Sequence, residues 1–181
     1  MEFFDVIKTR KSVRGFSDKK VDYDKIKYIL ECARLAPSWM NKQCWRFIIV
    51  QDCNLIEEIV KTATVINKWF RKVPVIIIAC ADPLLSGKIN NIEYYKIDTA
   101  IAMEHIILAA NDIGLGTCWI SGFNEKKLKK LLEIPPRIRI IALTPLGYPK
   151  EKKSITEKGK NIVIRSTKRK SLKEIIHFNK W

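Results

Sequence analysis

The run Val73-Pro74-Val75-Ile76-Ile77-Ile78-Ala79-Cys80-Ala81 carries no charge, and its β-branched residues are stopped by Asp82-Pro83. A short apolar run of this kind reads as a buried strand. It is the longest apolar run in the sequence, and roughly 20 such residues are needed to cross a bilayer, so it marks a core and not a membrane span. With 181 residues, 47% of them hydrophobic, the chain has material for one sizeable core and too little for two ordinary domains. A single domain over residues 1–181 is expected.

Other elements arrange themselves around that strand. Phe3, Phe4, Val6 and Ile7 suggest a short helix ending near Thr9. Asp22 is a candidate N-cap for a helix in which Ile26, Ile29, Leu30 and Ala33 recur at helical spacing until Pro37 ends it. Trp45 to Val50 reads as a strand, and a third helix is expected from Leu55 to about Trp69. After a loop over 83–91, the longest helix should run from Ile92 to Ile113, with Ala100, Met103, Ile107 and Ala110 on its core face and Gly114 at its C-cap. Thr117 to Ile120 reads as a short strand, Asn124 as the cap of a helix over Glu125 to Glu133, and Arg139 to Leu146 as the last strand. From Tyr148 on, large apolar residues are scarce until Leu172, so residues 148–181 should form an arm that orders only against another surface.

Thirty-four lysines and arginines against 19 acids give a formal net charge of +15. That balance raises nucleic acid as a partner. However, the charge is spread along the chain and gathered after Lys150, without a zinc-finger, RNA-recognition or basic-zipper pattern, so nucleic acid is not the expected partner. An anionic small ligand is favoured by the same field. The five cysteines, Cys32, Cys44, Cys53, Cys80 and Cys118, show no CxxC spacing and suggest reduced thiols. The N-terminus lacks the basic start and apolar stretch of a signal peptide. A soluble, cytoplasmic protein without a membrane segment is the expectation.

Four separated segments carry groups suited to a ligand. Arg10-Lys11-Ser12-Val13-Arg14 sets three cations and a hydroxyl close together, which suits a phosphate dianion if the backbone bends or extends; alone, it also reads as a solvated basic stretch. In Pro37-Ser38-Trp39-Met40-Asn41-Lys42-Gln43-Cys44-Trp45, the side chains of Ser38, Asn41 and Gln43 can hydrogen-bond a polyol or a heteroaromatic edge. Gly114-Leu115-Gly116-Thr117-Cys118-Trp119-Ile120-Ser121-Gly122 would let backbone approach a flat ligand. Its glycines stand in the helix-to-strand order, the reverse of what the pyrophosphate-binding fingerprint requires, and so read equally as cap and turn. Lys168-Arg169-Lys170 precedes a short terminal helix. His105 and His177 have the pattern of packing or surface residues, no HExxH, GxSxG or GxxxxGK[ST] occurs, and no base is evident for Cys44. Chemistry is expected to reside in a bound cofactor, without a catalytic side chain and without a metal.

Taken together, these segments resemble the FMN-dependent nitroreductase family. Arg10-Lys11-Ser12-Val13-Arg14-Gly15-Phe16 is similar to its Arg-Arg-Ser-hydrophobic-Arg-x-Phe motif. Ala36-Pro37-Ser38, Asn41, Gln43, Trp45 and Phe47 are similar to its Ala-Pro-Ser-x-x-Asn-x-Gln-Pro-Trp-x-Phe motif. Gly114-Leu115-Gly116-Thr117, Leu146-Gly147-Tyr148-Pro149 and Lys168-Arg169-Lys170-Ser171-Leu172 follow in order. Two departures are visible. Cys44 stands where the family has proline, leaving a thiol near the flavin, and Cys118-Trp119 replace small residues beside it.

The resemblance implies an α+β domain with a small mixed or antiparallel sheet between helices, an intertwined homodimer with the extended C-terminal arm, and FMN in the dimer interface. It implies that Arg10, Lys11, Ser12 and Arg14 hold phosphate and ribityl, joined by Arg169. Pro37, Ser38, Asn41 and Gln43 would approach the flavin from the other subunit, and Trp119, Ile120, Ser121 and Gly122 would run along its ring. The implied activity is ping-pong hydride transfer from NADH or NADPH to a nitroaromatic, a quinone or a similar conjugated acceptor. Trp39, Met40, Trp69, Phe70, Tyr94 and Tyr95 are candidate pocket linings. A flavin-binding sensor or carrier without turnover, and a dehalogenating or flavin-modifying member, remain open alternatives.

Overall fold

The computed structural model describes residues 1–64, 69–150 and 169–181, which fall into a main unit, 1–150, and a C-terminal unit, 169–181. The main unit contains, in chain order, α1 (Phe3–Thr9), α2 (Tyr23–Arg34), β1 (Trp45–Val50), α3 (Cys53–Thr62), β2 (Val75–Ala81), β3 (Lys88–Ile89), β4 (Ile92–Glu93), α4 (Tyr94–Asp112), β5 (Gly116–Thr117), α5 (Glu125–Leu131) and β6 (Arg139–Gly147). Four strands form one antiparallel sheet in the order β1-β2-β6-β5, and β3 and β4 form a separate two-residue hairpin.

The apolar run becomes β2, paired on one side with β1 and on the other with β6, and every one of its residues is buried. Because side chains alternate across a strand, the run feeds two cores. Ile76, Ile78 and Cys80 pack with Ile56 and Ile59 of α3 and Leu128 of α5. Val75, Ile77 and Ala79 pack on the other face with Ile29 and Ala33 of α2 and Met103, Ile106 and Ala110 of α4. Each fully buried isoleucine contributes about 1.5–3 kcal/mol. The fold is therefore an α+β sandwich in which helices cover both faces of an antiparallel sheet.

The observed ends of elements differ from expectation where other backbone competes. α3 stops at Thr62 and not near Trp69: Ala63 bridges Phe123, Thr64 N–H donates to Gly122 O at 2.9 Å, and Asn124 N–H donates to Thr62 O at 2.8 Å. Residues 65–68, in the expected remainder of that helix, lie outside the described residues. α4 begins two residues late because Ile92 and Glu93 pair with β3. It ends as expected: Gly114 takes the left-handed conformation at φ 76°, and Leu115 N–H closes on Ala110 O at 2.8 Å. Its buried face is wider than the four expected residues, taking in Asp98 and Thr99, while Ala100 is half-buried. Asp22 occupies the N-cap of α2 but makes no side-chain cap bond, whereas Asp52 and Asn124 cap α3 and α5 with bonds of 2.7 and 2.9 Å to Leu55 N and Lys127 N.

The C-terminal unit has a short 3-10 turn over Leu172–Glu174, closed by reciprocal Ser171 and Glu174 bonds, and His177 stacks on Trp181 at 4.5 Å. Lys168 and most of the expected arm, 151–168, lie outside the described residues.

α5 and β6 are tied by Glu125, whose carboxylate accepts from Arg139 Nε at 3.0 Å, Ile140 N at 3.0 Å and Lys129 Nζ at 3.3 Å. Burial alone would raise this carboxyl, but the bonds from Arg139, Ile140 and Lys129 outweigh it and hold the group at about 2. A depressed carboxyl stabilises the fold fully above its unfolded value near 4.5, and that contribution is lost as pH falls toward 2. Glu125→Gln should cost about 1–2 kcal/mol at neutral pH, allowing for partial exposure. In urea melts the gap from wild type should close between about pH 5 and pH 2; a gap independent of pH would refute the assignment.

Candidate functional site

The basic segment is extended, not bent. Ser12 bridges Thr117 of β5 in parallel, Val13 N–H donates to Thr117 O at 2.8 Å, Ser17 N–H donates to Tyr148 O at 2.9 Å, and Lys150 N–H donates to Gly15 O at 3.0 Å. Residues 12–17 are thus stitched across β5 and the chain that leaves β6. Val13 turns inward onto Gly116, where an added Cβ would sit 2.7–2.9 Å from the valine side chain. Its neighbours Ser12 and Arg14 therefore fall on the other side of the extended chain.

α1 sets where this segment begins. Asn111, near the end of α4, donates to Val6 O at 3.0 Å and to Thr9 Oγ1 at 2.9 Å, and the N-terminal ammonium meets Asp112 at 2.6 Å. Arg10 N–H closes α1 on Val6 O at 3.1 Å. Among the described residues no carboxylate lies within ion-pair distance of Arg10, Lys11 or Arg14. Glu104 on α4 is raised above the usual carboxylate range by desolvation, with Arg10 pulling the other way. Three cations and a hydroxyl without acidic partners form a donor set able to take an oxyanion with two or more charges.

The second motif is a tight loop. Ser38 Oγ accepts from Gln43 N at 2.9 Å, Ser38 O accepts from Asn41 N at 3.0 Å, and Gln43 Nε2 reaches Asn41 Oδ1 at 3.1 Å. Met40, Asn41 and Gln43 sit at φ 47°, 55° and 49°, in the left-handed region. Non-glycine residues held there cost about 1–3 kcal/mol each, a cost that recurs at ligand clamps. Pro37, Asn41 and Gln43 are exposed. Trp39 lies against Gly87 and Tyr94, its ring centroid 6.1 Å from that of Tyr94, and Met40 is exposed.

The third segment divides. Trp119 and Ser121 are exposed and Gly122 is half-buried. Ile120, by contrast, sits in the core and exchanges both backbone bonds with Leu143 at 2.9 Å, so it anchors the segment and offers no N–H to a ligand. Cys118 is buried, with its N–H donated to Thr144 Oγ1 at 3.1 Å. Of the other candidate linings, Phe70 and Tyr95 are core residues, and Trp69 stacks on Phe16. Arg169 is exposed within the C-terminal unit.

Cys44 does not sit open beside the loop. It is fully buried, its thiol facing Asp98 Oδ2 at 3.8 Å and Tyr95 O at 3.9 Å, and burial raises its pKa. Asp98 itself, 2% exposed, was not singled out by the sequence. The available signal was an acid three residues after Tyr95 and four before Ala102, on the apolar face of α4. Among the described residues no cluster of side chains could hold a metal ion, and no helix is long and apolar enough to cross a membrane.

The nitroreductase family model matches residues 7–64 and 58–148, which take in the basic segment, the left-handed loop and the glycine-flanked strand. The chain belongs to the nitroreductase family. A protein of Archaeoglobus fulgidus, provisionally named an NADH dehydrogenase/NAD(P)H nitroreductase, is 34% identical over 160 residues, 86% of this chain and 90% of its own length. A nitroreductase family protein of Clostridium novyi NT superposes with a TM-score of 0.81 at 46% identity, covering 83% of this chain and 87% of its own. An FMN-dependent nitroreductase of Clostridium difficile R20291 does so with a TM-score of 0.78 at 25% identity, covering 97% and 98%. The basic segment and the strained loop of this nitroreductase-family chain both lie within the matched residues.

Two outcomes check this geometry. Native protein treated with a thiol reagent should label Cys53, which is exposed, while Cys44 and Cys80, the latter pushed up to about 12 by burial, stay protected until unfolding; rapid native labelling of Cys44 would contradict its burial. Gly116→Ala should destabilise the protein by about 1–3 kcal/mol in a thermal melt, because the added methyl would meet the β-branched Val13, whose backbone is bonded to Thr117 and must shift.

Proposed function

We propose that this nitroreductase-family chain is an FMN-dependent NAD(P)H oxidoreductase that works as a homodimer, with each flavin shared between two copies. The observation that carries the reading is the length of α4. The basic segment is anchored at its C-terminal end, through Asn111 and β5, and the Ser38–Gln43 loop toward its N-terminal end, through Asp98. At 1.5 Å per residue these anchors are about 20 Å apart. A two-fold copy with its α4 antiparallel to the first brings the loop of one against the basic segment of the other. Ile97, 41% exposed on α4, together with half-buried Ile101 and Leu108, supplies apolar surface for such a contact.

The donor set fits FMN. Arg10, Lys11, Ser12 and Arg14, with no carboxylate at ion-pair distance among the described residues, would suit a phosphate monoester and the first ribityl hydroxyls, and the family resemblance adds Arg169. Pro37, Ser38, Asn41 and Gln43 of the second copy present an apolar edge and amide groups to the ring. The backbone of Trp119, Ser121 and Gly122 would run along one side of the ring, with Ile120 held in register by its bonds to Leu143. FMN, when bound, supplies the two-electron chemistry, taking hydride from NADH or NADPH and passing it to a nitroaromatic, a quinone or a similar conjugated acceptor. The role of this chain is to grip and orient the cofactor and to keep water from the reacting face.

Anaerobic titration of the yellow protein with NADH and NADPH should bleach it, and menadione or a nitroaromatic should restore the colour. Flavin that stays oxidised with both nicotinamides would favour a carrier or sensor instead. Arg10→Ala and Arg169→Ala should each weaken FMN retention by about 1.5–3 kcal/mol, the worth of a charge-assisted hydrogen bond. Normal flavin occupancy in both would remove the phosphate assignment.

A further inference from the structure

Asp98 is a carboxylate 2% exposed on α4 with no cation at ion-pair distance among the described residues. A group of this kind costs stability unless hydrogen bonds compensate for its lost water. Its donors come from two segments: Trp39 N–H at 3.0 Å and Cys44 Sγ at 3.8 Å from the turn before β1, and Ser86 Oγ at 3.2 Å from the chain after β2. Trp39 opens the turn in which Met40, Asn41 and Gln43 are left-handed, and the turn closes on itself through Ser38 Oγ and Gln43 N. The loop is therefore internally complete. Among its hydrogen bonds, the one from Trp39 N–H to Asp98 joins it to the long helix, with the indole resting on Gly87 and Tyr94.

We propose that Asp98 is a positioning residue: through Trp39 it holds the Ser38–Gln43 loop in the left-handed geometry from which Ser38, Asn41 and Gln43 meet the flavin. The inference rests on the FMN reading above and adds to it a residue that touches neither cofactor nor substrate. Loss of the carboxylate leaves the loop's own bonds and the Trp39 ring contacts intact and removes the loop's hydrogen bond to α4, so the loop samples other conformations and the flavin binds the competent one at a lower fraction. The effect should appear as weaker cofactor affinity in a protein that is still folded.

The test uses full-length protein stripped of flavin, at a temperature well below every variant's melting point. FMN affinity is measured by fluorescence quenching, and hydrogen exchange is followed in the peptide covering residues 38–44. Asp98→Asn keeps one oxygen acceptor at lower strength, and Asp98→Leu keeps the volume with no acceptor. The expected order of FMN affinity is wild type, then Asp98→Asn lower by about threefold to tenfold, then Asp98→Leu lower by about tenfold to a hundredfold, as loss of a charge-assisted bond dictates. Exchange in the loop should quicken in the same order without bound flavin. If Asp98→Leu does not fold, Asp98→Asn makes the same comparison. Equal FMN affinity in wild type and Asp98→Asn, or unchanged loop exchange, overturns the proposal alone. A wild-type protein that binds no FMN overturns it together with the cofactor reading on which it rests.

Discussion

Everything in the main unit depends on β2 being covered on both faces. Its odd-numbered side chains need α2 and α4, and its even-numbered ones need α3 and α5. Two helical layers follow from one strand, because leaving either face to water would expose Val75, Ile77 and Ala79 on one side or Ile76, Ile78 and Cys80 on the other. α4 is the long member of one layer, and its direction is fixed by Met103, Ile106 and Ala110 pressing on the odd face of the strand. The site features are placed by where that helix begins and ends.

In this arrangement α4 works as a spacer with a grip at each end. Asn111 holds the turn out of α1, and Asp98 holds the turn before β1. Neither grip is strong. Each is a few hydrogen bonds, but each is made by a helix locked into the core, so the loops inherit its rigidity. A strained loop such as Met40 to Gln43 needs that rigidity, since left-handed residues relax when their surroundings allow it.

Much of this was legible in the sequence. The β2 run, the β1 strand, the Asn124 cap and the Gly114 terminus follow from local periodicity and turn chemistry, and local rules suffice where the competing partners are near in sequence. The end of α3 was not legible, because it is decided by Gly122 and Asn124, far along the chain, which take the backbone of Thr62 and Thr64 into bridges. The basic segment was recognised by its charges, but its extended course came from Thr117 and Tyr148, and no pattern within residues 10–14 encodes it. The burial of Cys44 and the role of Asp98 were hidden for a related reason. A thiol next to a polar loop and an acid on a helix look like surface groups until α4 is laid against the start of β1. Ile120 was assigned to the ligand side, while the ladder to Leu143 assigns it to the core.

The hairpin between Pro83 and Glu93 hangs from the N-terminal end of α4 and closes on itself through the β3–β4 pair. Leu84, Ile89 and Ile92 on this excursion face outward. Ser86 and Gly87 at its start meet Asp98 and Trp39, while the β3–β4 turn beyond them bears on neither the span of α4 nor the Asn111 anchor. Insertions at the β3–β4 turn would alter the surface beside the N-terminal end of α4 while leaving the contacts of Ser86 and Gly87 in place. The chain is thus divided between a part whose dimensions are fixed by the sheet and a part free to diverge, and divergence in that second part is the route by which relatives on the same frame could come to accept different molecules.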